Sequence, residues 1–112
     1  MAEISDDYMR QMLQTTREYS LVILHAGPNY DAPTSPATIW EHGRNNFSMR
    51  ADGLLSIVCP VTDQGAVRGV GIFNAGVDAV TRLMEDDPGV QTGVFTYEVH
   101  PCRSFPGDAL PT

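Results

Sequence analysis

The sequence predicts an α+β fold of the ferredoxin-like kind: a four-stranded antiparallel sheet with two helices on one face, preceded by an extra N-terminal helix. Three observations carry this. Apolar, β-rich stretches alternate with amphipathic ones in the order β, α, β, β, α, β, the split βαβ arrangement. Turn signals separate them at Asp52-Gly53, in the 62–66 segment TDQGA and at Pro88-Gly89. The last stretch, 94–100, alternates strictly: Phe95, Tyr97 and Val99 fall on one face, and Val94, Thr96, Glu98 and His100 on the other.

Taken in order, residues 4–18 form a leading helix. Ser5 is a good N-cap, Asp6 and Asp7 suit the positive end of the helix dipole, and Ile4 is placed to staple to Met9. Residues 19–26, YSLVILHA, are apolar on both faces and predict a central strand. After a loop rich in Gly, Pro, Asn and Asp, Ser35-Pro36 starts a helix that runs to about residue 51. Ile39, Trp40, Gly43 and Phe47 form its apolar stripe, with Gly43 allowing close approach to the sheet; His42 lies on the flank with Ser35, Asn46 and Met49. Strands follow at 54–61 and 67–73, joined by a hairpin loop in which Gly65 is available for positive φ. Val77, Val80, Leu83 and Met84 mark a second helix ended by Pro88-Gly89. The organisation is thus a helical arm (1–18), an α+β domain (19–101) and an irregular tail (102–112). The sheet face without helices needs cover, which a second copy would supply as a homodimer.

A net charge of −7 and the absence of a basic stripe exclude nucleic acid as a natural partner. No apolar run approaches the ~20 residues of a membrane span, and the first residues lack a basic-then-apolar targeting pattern, so a cytoplasmic location is expected. Cys59 and Cys102 lack a CxxC spacing and are expected as reduced thiols at opposite edges of the sheet. His100 with Cys102 is too small a donor set for zinc, and the RGVGIF glycines lack a strand-then-helix setting, so neither metal nor cofactor is expected.

Three segments carry a resemblance to a known family: WEHGRNNF with its helical histidine, LLSIVCPVTDQG leading into GVGIF, and the closing EDDPGVQTGVFTYEVHP. Over residues 20–101 the chain resembles the YCII-related (YciI-like) family of the dimeric α+β barrel superfamily. The resemblance implies a dimer, a cleft near the helical histidine and a catalytic His/Asp pair, which falls here on His42 and Asp63. It departs from the family at Cys59-Pro60, where a Gly-Pro is usual.

Strand order brings His25 to the same end of the sheet as the 59–67 hairpin and the start of the helix bearing His42, and places His100 at the other end. His42, Asp63, His25 and Asp31 are therefore expected to converge, with Trp40 divided between core packing and ligand stacking. A histidine beside a carboxylate can take a proton from carbon next to a carbonyl and return it elsewhere, or assist loss of a leaving group. The expected function is a cofactor-independent isomerase or lyase acting on a small organic acid or lactone. The alternatives are a non-catalytic dimeric protein that binds a small molecule and, by fold analogy alone, a cofactor-free oxygenase.

Overall fold

The computed structural model describes residues 1–112, with α1 (Asp6–Gln14), β1 (Arg17–Ala26), α2 (Ser35–Ala51), β2 (Leu55–Pro60), β3 (Val67–Phe73), α3 (Val77–Glu85), α4 (Pro88–Gln91) and β4 (Phe95–Ser104). The sheet has the order β2-β3-β1-β4 and every neighbouring pair is antiparallel, the ferredoxin-like arrangement expected from the sequence. No helix is long and apolar enough to cross a membrane.

The alternation of β1 sets the two faces of the sheet. Ser20, Val22 and Leu24 are buried under the helices, together with Leu55, Phe73, Val80, Met84, Val94 and Phe95. Leu21, Ile23 and His25 point the other way, as a period of two requires. The register sets Ile23 opposite Val70, Leu21 opposite Ile72 and Ile57 opposite Ile72, so the helix-free face has a half-buried aliphatic centre.

Several boundaries differ from expectation for identifiable reasons. The leading helix stops at Gln14, where the Thr15 and Thr16 hydroxyls donate back to the carbonyls of Met12 and Leu13. The Ser5 cap is present, accepting from the Tyr8 amide. This helix buries no residue, and the molecule is accordingly long, 55 × 30 × 24 Å. Strand β4 continues to Ser104 because β1 begins at Arg17 and pairs with it along its whole length. In the 62–66 hairpin the left-handed residue is Gln64, at φ 61°, rather than Gly65. Gly53, at φ 77°, does make the break after α2.

The second expected helix does end ahead of Pro88-Gly89, at Glu85, and the dipeptide itself begins a further short helix. Asp87, in extended conformation, caps α4 by accepting from the Gly89 and Val90 amides, and Pro88 takes the first turn, where its missing N–H costs nothing.

Tyr97, on the helix-facing side of β4, donates to Glu85 Oε1 at 2.6 Å and ties the end of α3 to the sheet. Its phenol is pushed up to about 12, first by removal from water and then by the hydrogen bond and charge of Glu85. Of the four tyrosines, one is therefore expected to ionise well above the ordinary value of 10.0 in an ultraviolet absorbance titration. The late step should vanish in Tyr97→Phe; its persistence there would assign it to another tyrosine.

Candidate functional site

The apolar stripe read from the α2 sequence packs only in part, through Ile39, which is half-buried against the core. Trp40 is 71% exposed and Phe47 62% exposed, and a Cβ built on Gly43 meets nothing within 4 Å. The buried residues of α2 are Ser35, His42 and Met49, spaced by seven, which is the flank expected to be marginal. Gly43 therefore does not serve close approach to the sheet, and Trp40 is neither core nor cavity wall.

What turns α2 this way is a buried carboxylate. Asp87 is 1% exposed, and its oxygens accept from His42 Nδ1 (2.9 and 3.0 Å), Asn45 Nδ2 (2.9 Å) and the amides of Gly89 (2.9 Å) and Val90 (3.3 Å). Burial of this group raises the pKa of the carboxyl and is the largest single influence on it. The hydrogen bond and charge of His42, then the bonds from Asn45 and Val90, together outweigh burial and leave the pKa below 3.8. Gly89 is required here: a Cβ at that position would lie 2.5 Å from the Phe95 ring and 3.0 Å from Asp87 Oδ2.

The carboxylate also settles the tautomer of the neutral imidazole. An ionised carboxylate only accepts, so the proton of neutral His42 sits on Nδ1 and the lone pair on Nε2. Nε2 accepts from Asn46 Nδ2, one helical turn on, at 3.2 Å. The Phe95 ring packs on the imidazole with centroids 4.7 Å apart.

His42 forms part of the wall of a cavity of about 280 Å³ between α2 and the β2–β3 half of the sheet. Ile39, Phe47, Val58, Phe73 and Met84 make much of its surface, and Gly69 and Gly71 leave room along β3. Its polar groups include His42, Asn46 and Arg68; no Asp or Glu lines it.

Asp63, expected as the partner of His42, is exposed in the hairpin and accepts from the amide of Gly65 at 3.0 Å, an Asx-type turn. The partner of His42 is Asp87. His25 does not join the cavity either: Leu24 faces the helices, so His25 faces away, bonded to Glu98 Oε2 at 3.2 Å. His100 approaches the same oxygen at 3.9 Å, so these two histidines share a face instead of lying at opposite ends. Asp31 is exposed and outside the cavity lining. Both cysteines are free, Cys59 at the cavity and Cys102 on the far edge. The residues that sequence reasoning missed are Asp87, Asn45 and Arg68. For Asp87 a signal existed, an acidic residue directly before Pro, the pattern of a helix N-cap.

No family model matches the chain, and no curated protein matches it. Among solved structures, it is similar to the 5-chloro-2-hydroxyhydroquinone dehydrochlorinase from Burkholderia phenoliruptrix AC1100, determined in complex with 2,5-dihydroxybenzoquinone. The TM-score is 0.57 at 18% identity, covering 73% of this chain and 90% of that one. The likeness shows the fold alone: both chains share an α+β arrangement with an antiparallel sheet and helices on one face.

Removing one member of a buried, hydrogen-bonded pair leaves the other unsatisfied, so Asp87→Ala is expected to cost about 3–5 kcal/mol in urea unfolding. Asp63→Ala, which removes one exposed turn bond, should cost about 0.5–1 kcal/mol. Equal costs would show that the two carboxylates do not differ in role. Because the folded-state pKa of Asp87 is depressed, its contribution is fully present above 3.8 and is lost as pH falls through the lower, folded value. The stability gap between wild type and Asp87→Asn should therefore narrow on acidification across that window.

Proposed function

We propose that the chain is a cofactor-independent proton-transfer enzyme of isomerase or lyase type, acting on a small organic acid or lactone. The observation that supports this most is a histidine whose proton is held on one nitrogen by a buried carboxylate while its ring lines an apolar cavity. In this reading His42 Nε2 removes a proton from carbon beside a carbonyl, and the C–H electron pair moves onto the carbonyl oxygen as an enolate. The enolate then collapses in one of two ways. The imidazolium returns the proton at another carbon, giving an isomer, or a leaving group on the adjacent carbon departs with its electron pair, giving an alkene or quinone. Asp87 is a positioning residue that keeps the tautomer and compensates the charge the ring acquires. Asn46 must release Nε2 for substrate to reach it.

The fold likeness to a dehydrochlorinase, together with the sequence resemblance, supports the lyase side of this reading and membership of the YciI-like family. Chloride elimination from a chlorinated hydroxyhydroquinone is a natural first assay. Dimerisation through the aliphatic centre of the open sheet face belongs to the same reading, since Leu21, Ile23, Ile57, Val70 and Ile72 are left half-covered in one protomer.

Turnover across a panel of chlorinated hydroquinones, muconolactones and small keto acids is expected to fall 10²-fold or more in folded His42→Gln. Undiminished turnover would remove His42 from the chemistry, and no turnover by wild type anywhere on the panel would favour a binding protein. For the assembly, Ile72→Lys should convert a dimer to a monomer in light scattering without loss of circular dichroism. A wild type that is already monomeric at high concentration would rule the sheet interface out.

A further inference from the structure

We propose that Arg68 makes this cavity a site for a small oxyanion with an apolar, ring-sized body: a carboxylate, enolate or phenolate whose charge rests against the guanidinium. The inference rests on the reading of the cavity as the ligand site and adds what kind of molecule enters it.

The backbone first sets where this side chain goes. The β1–β3 register pairs Leu24 with Gly69 and His25 with Val67, so Arg68 is skipped. Gly69 and Gly71 are on the helix-facing side, opposite Leu24 and Val22, and strict alternation would send Arg68 to the open face. The bulge releases it from alternation, as bulges beside binding sites often do, and Arg68 lines the cavity.

Its surroundings then hold the guanidinium without neutralising it. One N–H donates to the Gly65 carbonyl at 3.1 Å, another to Tyr30 Oη at 2.5 Å, and the cation lies 4.6 Å from the centre of the Tyr30 ring. Tyr30 packs in turn on Phe95, the ring that packs on His42. None of these neighbours is an anion, and no ion pair in the structure includes Arg68. The remaining N–H groups of the fork meet no protein acceptor, although such a fork matches a carboxylate well. In a chain of net charge −7, this is a fixed, uncompensated cation at a cavity without a single acidic residue in its lining. In the same lining, Phe47, Phe73, Ile39 and Val58 offer an apolar ring its walls, with the glycines of β3 leaving the space.

Benzoate and benzamide are the probes, nearly equal in shape and different in charge, with amide resonances of Phe47, Gly69 and Gly71 followed by NMR on the full chain. Benzoate is expected to shift these resonances and to bind at least tenfold more tightly than benzamide, with an affinity that falls as salt rises. Arg68→Gln should weaken benzoate tenfold or more and leave benzamide unchanged. Arg68→Lys, which keeps the charge, should recover much of the loss, so that general damage to the cavity is told apart from loss of the cation. Equal binding of the two probes, benzoate affinity indifferent to Arg68→Gln, or no shift with either probe would each overturn the proposal. The readout is binding of a non-reacting probe, so it is separate from the proton-transfer reading: benzoate binding that depends on Arg68 upholds the anion site even where the panel shows no turnover, and turnover without that dependence overturns it.

Discussion

A single buried carboxylate orders the functional half of this protein. Taking Asp87 out of water is costly, and the cost is offset only because both oxygens find donors: Oδ1 accepts from His42 and Asn45 of α2, and Oδ2 from His42 and the backbone amides of Gly89 and Val90. Satisfying those bonds fixes the rotation of α2 about its axis and seats α4 against it. It also fixes which nitrogen of His42 carries the proton. The helix consequently turns a polar flank inward and leaves Trp40 outside and Phe47 largely exposed at the cavity rim, an arrangement that apolar burial alone would not select.

The same constraint explains what the sequence did and did not disclose. Topology was legible because strand alternation, the Asp52-Gly53 break and the order of elements are local signals that agree with one another. The orientation of α2 was not, because the stripe of Ile39, Trp40, Gly43 and Phe47 is the stronger apolar signal, yet a polar partner 45 residues further along decides which side is buried. The placement of His25 failed for a different reason. Assigning residues to the ends of a sheet says nothing about its faces, and the parity that buries Leu24 points His25 away. Arg68 could not be located by parity at all, since a bulge breaks it.

Asn46 gives the histidine a neighbour suited to either protonation state. With neutral His42 the amide donates from Nδ2 to the Nε2 lone pair. Once Nε2 is protonated, a half-turn of the same amide presents its oxygen as an acceptor. A proton can therefore arrive and leave without stranding a polar group at the cavity wall, where an unpaired donor would be expensive. The pairing of Nδ1 with Asp87 persists in both states, so the ring need not reorient.

Charge accounting links this device to Arg68. With the imidazole neutral, the form in which it can act as a base, the His42–Asp87 pair carries one negative charge, all of it on a carboxylate behind the imidazole. Accepting a proton makes the pair neutral, so in the proposed reaction a negative charge passes from the pair to the substrate as an enolate forms. The cavity wall is largely apolar and supplies little solvation for that charge. Without a fixed cation nearby, the transfer would place an anion in a poorly polarisable space and the proton would fall back. Arg68 is already held by Gly65 and Tyr30 and has no anion of its own, so it can meet that charge with little reorganisation. A base alone would account for His42 and Asp87. In the proposed reaction a base in an apolar cavity also calls for a cation in the same wall, and the bulge at Arg68 is the structural change that puts one there.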